Sequence, residues 1–97
     1  MELKVRGINY TPSQETLDFI DKKLKKLAFA DEYLQDLDIA ITRETKHIGY
    51  SINAALHFRW KSEKIVTQDC IELYEGIELI ADKIQSVAKK EKEKVKG

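Results

Sequence analysis

The chain has 97 residues, 42% hydrophobic and 35% charged, a composition that folds as one soluble domain and excludes a disordered polymer. Seventeen basic residues balance seventeen acidic ones, so no overall field attracts a polyanion, and a nucleic-acid binder would have to work through local patches. The lone Cys70 excludes an internal disulfide, no run reaches the roughly eighteen apolar residues of a membrane span, and no signal-like segment opens the chain; a cytoplasmic protein without membrane contact is expected.

In chain order, residues 2–9 alternate, with Leu3 and Val5 opposite Lys4 and Arg6, which predicts a half-buried strand. Thr11-Pro12-Ser13-Gln14 predicts a helix start with Thr11 as cap and Pro12 at the first helical position. Leu17, Ile20, Leu24 and Leu27 keep helical spacing to about residue 29, with Lys22, Lys23, Lys25 and Lys26 largely off that stripe. Leu37, Ile39 and Ile41 mark a second strand.

After a turn at residues 46–49, Tyr50, Ile52, Ala54, Leu56, Phe58 and Trp60 alternate with Ser51, Asn53, Ala55, His57 and Arg59, the clearest strand of the chain. Residues 61–63 form a hairpin loop and 64–68 a fourth strand. Asp69-Cys70-Ile71-Glu72 resembles a capping box before a second helix carrying Leu73, Ile77, Ile80, Ile84 and Val87. Its amphipathic pattern fades after residue 88, leaving 89–97 as a basic helix end or a frayed tail. The expectation is one α+β domain over 1–97, ordered β-α-β-β-β-α, with two helices on one face of a four-stranded sheet.

Chemistry-bearing constellations are scarce. Two histidines and one cysteine show no metal-ligand spacing, and the four glycines are too scattered for a phosphate-cradling loop. A Cys70/His57/Asp69 nucleophilic set is conceivable but has no local geometry behind it, and a packed, inert thiol is the simpler reading. Tyr50, Phe58 and Trp60 share the phase of the buried face, which disfavours a stacking platform on the sheet.

Two lysine clusters remain: four lysines within 22–26, and six from Lys83 onward against Glu91 and Glu93, separated by a net-acidic middle. Solvated helix faces and favourable helix C-termini account for such clusters without any ligand. On two helices sharing one side of a sheet, however, they would form a continuous surface for phosphates.

The order of these features resembles the ribosome hibernation-promoting factor family, also called ribosome-associated inhibitors and formerly sigma-factor modulation proteins. The likeness lies in Met1-Glu2-Leu3-Lys4-Val5-Arg6-Gly7 followed by Thr11-Pro12, in Leu17-Asp18-Phe19-Ile20 with Lys23-Leu24-Lys25-Lys26-Leu27, and in Leu73-Tyr74-Glu75-Gly76-Ile77-Glu78, Asp82-Lys83-Ile84 and the spaced Lys90, Lys92, Lys94 and Lys96.

The resemblance implies a fold similar to double-stranded-RNA-binding domains and a non-enzymatic, cofactor-free protein, monomeric when free and active in stress and stationary phase. It would bind small-subunit rRNA in the decoding region and occlude mRNA and tRNA, with no small-molecule substrate. Carried over by position, Lys23, Lys26, Lys83, Lys90 and Lys94 are the expected phosphate contacts, with Lys22, Lys25, Lys89 and Lys92 behind them. Ser86 and Val87 stand where many relatives carry Arg-Gln, and zero net charge is low for the family. Ending at Gly97, the sequence is expected to be a short form that relies on another factor for ribosome pairing or takes no part in it. The alternative is a protein-interaction domain using Lys4, Arg6, Ser51, Asn53, His57 and Arg59 on the open sheet face.

Overall fold

The alternation at the N-terminus becomes β1 (Glu2–Ile8), which pairs in parallel with β2 (Leu34–Arg43). A parallel pair needs a connection that crosses the sheet, and α1 (Gln14–Leu24) with a 3-10 segment (Lys25–Ala30) provides it. β3 (Tyr50–Phe58) and β4 (Glu63–Cys70) then add antiparallel, giving the order β1-β2-β3-β4, and α2 (Leu73–Lys96) returns over the sheet. The computed structural model describes residues 1–96; Gly97, the end of the expected basic tail, and the side chains of Val95 and Lys96 lie outside the described part. Residues 89–96 belong to α2.

The expected α+β fold with both helices on one sheet face is present. Leu37, Ile39, Ile41, Ile52, Ala54, Leu56, Phe58 and Val66 are buried beneath Ile20, Leu24 and Leu27 on one side and Leu73, Ile77, Ile80 and Ile84 on the other. Each large aliphatic side chain so removed from water stabilises the fold by roughly 1.5–3 kcal/mol.

Several boundaries differ from the sequence expectation. Ser13, not Thr11, caps α1: its hydroxyl accepts the Thr16 N–H at 3.1 Å. The buried Thr16 hydroxyl lies 3.0 Å from Ser13 Oγ and 3.4 Å from the Tyr74 hydroxyl, and accepts from Tyr10 at 3.3 Å, so tertiary contacts fix the cap. The helix expected to reach residue 29 tightens at Lys25, because buried Leu24, Leu27 and Ala30 recur every three residues, the period of a 3-10 turn.

Asp69 and Cys70 do not cap α2; they continue the ladder opposite Ser51 and Tyr50, and the helix begins at Leu73. Gly76 permits that abrupt start, since a Cβ there would sit 2.2 Å from Cys70 Sγ. β3 ends at Phe58, where the amide N–H donates to the Ser62 carbonyl (2.9 Å) and Lys61 adopts a φ of 64°; Glu63, expected in the loop, opens β4. Trp60 nevertheless stays on the core side, stacked on Phe58 and Tyr33 at centroid distances of 5.3 and 5.6 Å.

The buried stripe of α2 does not fade at Ala88 but continues into Glu91, which is only 7% exposed. Ser62 Oγ and Trp60 Nε1 donate to its carboxylate at 2.8 and 3.2 Å, and Lys64 Nζ stands 3.9 Å away. The hydrogen bonds from Ser62 and Trp60, with a smaller pull from Lys64, hold the Glu91 carboxyl below its ordinary value. A charge on the buried stripe is thus satisfied by the β3–β4 turn, which it ties to α2.

On the sheet's outer face, His57 lies between Asp36 of β2 and Glu63 of β4, its partners across both ladders, and bonds to each. The bonds to Asp36 and then Glu63 raise the imidazole above its ordinary 6.5.

Two outcomes follow from these ties. Glu91→Ala strands the Trp60 and Ser62 donors and should lower unfolding stability by about 2 kcal/mol in urea titration, whereas Glu91→Gln, which still accepts, should lose less. Because the native His57 value is raised, its stabilisation is complete below pH 6.5 and drains away as pH rises through the elevated native value. Urea midpoints should therefore fall above pH 6.5, and His57→Gln should flatten that part of the profile; an equal slope in the variant would refute the assignment.

Candidate nucleic-acid interface

Contacts between the helices advance along both chains together. Phe19 stacks on Tyr74 with centroids 4.4 Å apart, Lys23 pairs with Glu78 at 2.9 Å, Lys26 pairs with Asp82, and Lys89 lies over the Phe29 ring at 5.8 Å. The helices are therefore parallel, and α2 starts level with the middle of α1. The acidic first half of α2 faces the lysine-bearing half of α1, while the lysines of α2's second half reach past it to the 3-10 segment and Tyr33.

This stagger divides the nine expected phosphate contacts. Lys23 and Lys26 point into the seam and are held by Glu78 and Asp82. Lys22 and Lys25 are exposed, and among the described residues neither has a carboxylate partner; Lys25 turns toward β1, where it lines a depression with Met1, Leu3 and Asp21. Lys89 and Lys92 face aromatic rings, Phe29 and Tyr33, at 5.8 and 5.7 Å, which leaves their positive charge uncancelled.

Lys83, Lys90 and Lys94 recur at intervals of seven and four residues and so fall on one flank of α2, the flank over β4. Lys83 donates to the Thr67 carbonyl of β4 at 3.1 Å. Lys90 and Lys94 border a notch of about 180 Å³ with Val87, Glu91 and Lys64. All nine lysines lie on the helix-bearing side of the sheet, but α2 stands between its own two rows.

Lys64 was not anticipated. Paired with Leu56 and two residues from buried Val66, it has the phase of the core, so its chain points to the helical side of an edge strand and emerges beside α2. The signal in the sequence is a lysine in buried register. Phe29, 36% exposed among lysines, was also missed, because it lies off the apolar stripe.

The nucleophilic set does not assemble. Cys70 faces the helices against Gly76 at one end of the β3–β4 ladder, while His57 lies on the opposite face, seven residues along β3 from Tyr50, the partner of Cys70; that separation is roughly 23 Å at 3.3 Å per residue. Burial, then the charges of Asp69, Glu75 and Glu72, push the Cys70 thiol up, away from the nucleophilic thiolate. Among the described residues no three His, Cys, Asp or Glu side chains gather in a way that could hold a metal ion, and no helix is long and apolar enough to cross a membrane. On the open sheet face Arg6 pairs with Asp38 at 3.8 Å and His57 with two carboxylates, so part of the charge there is already answered internally.

Comparison with known proteins agrees with this architecture. A ribosomal subunit interface protein from Coxiella burnetii has the same fold, with a TM-score of 0.83 over 95% of this chain and 98% of that one at 16% identity. The N-terminal domain of Thermus thermophilus Protein Y superposes with a TM-score of 0.79 over 93% of this chain and 98% of that one at 18% identity. No curated protein sequence matches the chain. The family described as sigma 54 modulation protein / S30EA ribosomal protein matches residues 3–96, nearly the whole sequence, and the chain belongs to that family.

Proposed function

We propose that this protein is a ribosome hibernation factor that binds small-subunit rRNA in the decoding region and blocks translation by occupying the paths of mRNA and tRNA. The observation that carries this reading is the set of uncancelled lysines on the part of α2 that extends beyond the end of α1, on the helix-bearing side of the sheet, in a chain of a ribosomal-protein family. Two solved proteins of the same fold are described as a ribosomal subunit interface protein and as Protein Y, which supports a ribosome as partner. Steric occlusion requires no catalytic group, so the protein acts without enzymatic activity, cofactor or small-molecule substrate, as a cytoplasmic monomer away from membranes.

The phosphate contacts are Lys83, Lys90 and Lys94 on the outer flank of α2, joined by Lys64, with Lys22, Lys25, Lys89 and Lys92 across the helix. Lys23 and Lys26 contribute less at first contact, because a phosphate must displace Glu78 or Asp82 to reach them. The alternative use of the open sheet face has weaker support, given the internal pairing of Arg6 and His57.

Lys83→Glu/Lys90→Glu/Lys94→Glu should abolish co-sedimentation with purified small subunits while leaving the melting temperature near that of the parent, because all three side chains are exposed. Retained binding would remove this flank from the interface. With about five of these eight lysines on phosphates at once, affinity should fall on the order of 10²-fold between 50 and 200 mM salt. Glu78→Gln/Asp82→Asn frees Lys23 and Lys26, and should tighten binding and steepen its salt dependence; weaker binding would mean that the seam ion pairs serve to shape the interface.

A further inference from the structure

Among the described residues, the exposed large hydrophobic side chains are aliphatic with one exception, Phe29. Singly exposed apolar residues are common and need no explanation. Phe29 differs in its surroundings: it follows Lys25 and Lys26 on the same segment, and Lys89 reaches over its ring from α2. It thus sits where the lysines of α1 and those of α2 meet.

Its support is rigid. The ring tilts against Tyr33 at a centroid distance of 6.4 Å, and Tyr33 lies in a stack with Phe58 and Trp60 whose centroids are 5.3 to 6.2 Å apart. Buried Leu27 and Ala30 anchor the short helical turn on either side of it. An aromatic ring held this way, with the Lys89 ammonium over it on a long flexible stem, has the composition that receives an unpaired base: the π-face takes the base and the cation takes a neighbouring phosphate.

We propose that Phe29 stacks on an unpaired base of the bound RNA, with Lys89 on a flanking phosphate. This rests on the RNA reading above. Lys89 now covers the ring through its charge, and its flexible chain swings to a phosphate as the base takes its place. The site is blind to base identity, since every base offers a π-face, and it selects single-stranded or bulged RNA over continuous duplex.

The test is equilibrium binding to purified small subunits at several salt concentrations for the parent, Phe29→Leu and Phe29→Trp. Leu keeps apolar bulk against Tyr33 but lacks a π-face, so it should bind roughly tenfold more weakly, the order of one lost base stack. Its dependence on log salt should match the parent's, because no charge is removed. Trp should restore or improve affinity, and its emission should be quenched on binding beyond any change seen for Trp60 in the parent. Parent-like binding by Phe29→Leu, or a Phe29→Trp emission that subunits leave unquenched, overturns the stacking proposal while the RNA reading stands. No binding by the parent would overturn both.

Discussion

The stagger between two parallel helices governs what this surface can do. The Phe19–Tyr74 stack and the contact of the Tyr74 hydroxyl with Thr16 place the start of α2 beside the middle of α1. Gly76, against the Cys70 side chain, lets the helix begin directly after β4. From that offset the pairing of charges follows. Acids early in α2 meet lysines late in α1, and lysines late in α2 meet aromatic rings. With no stagger, Glu78 would lie level with Phe19 and Asp82 level with Lys23, and Lys26 would lose its partner. A chain of zero net charge thereby concentrates its cationic character at one end.

The same end is stiffened from beneath. The aromatic stack of Tyr33, Phe58 and Trp60 supports the 3-10 segment, while Glu91 ties the β3–β4 turn to the helix that bears most of the lysines. A buried carboxylate among lysines would cancel their charge if its own were free. Here its charge is already engaged by two neutral donors and Lys64, and its effect is to hold the helix down on the sheet rather than to neutralise the outer lysines. This mounting fixes the backbone positions from which the lysine side chains extend, while the side chains themselves stay flexible.

The outer sheet face follows a different rule. Lys4, Arg6, Asp36, Asp38, His57 and Glu63 lie across four strands in positions where neighbours of opposite sign meet, and three of these encounters close as ion pairs or hydrogen bonds. Charge there is spent on strand pairing and register. The two faces thus differ in kind: one has its charges matched across ladders, and the other leaves most of its lysines facing solvent or rings.

Periodicity in the sequence settled the α+β class, the element order and the core face, because alternation along Leu37–Ile41 and Tyr50–Phe58 and helical spacing from Leu73 to Ile84 are local properties of the chain. The residue types also placed the lysines on helices. Tertiary structure alone decided which of them are uncancelled, since Lys23 meets Glu78 and Lys26 meets Asp82 across more than fifty residues, and no local pattern encodes that stagger. It likewise decided the α1 cap, where Thr16 is held by Tyr10 and Tyr74, and the true end of β4, where a ladder with β3 overrode a capping signature at Asp69. Glu91, Lys64 and Phe29 were unread for one reason: each departs from its element's pattern, and the partner that explains the departure comes from another part of the chain.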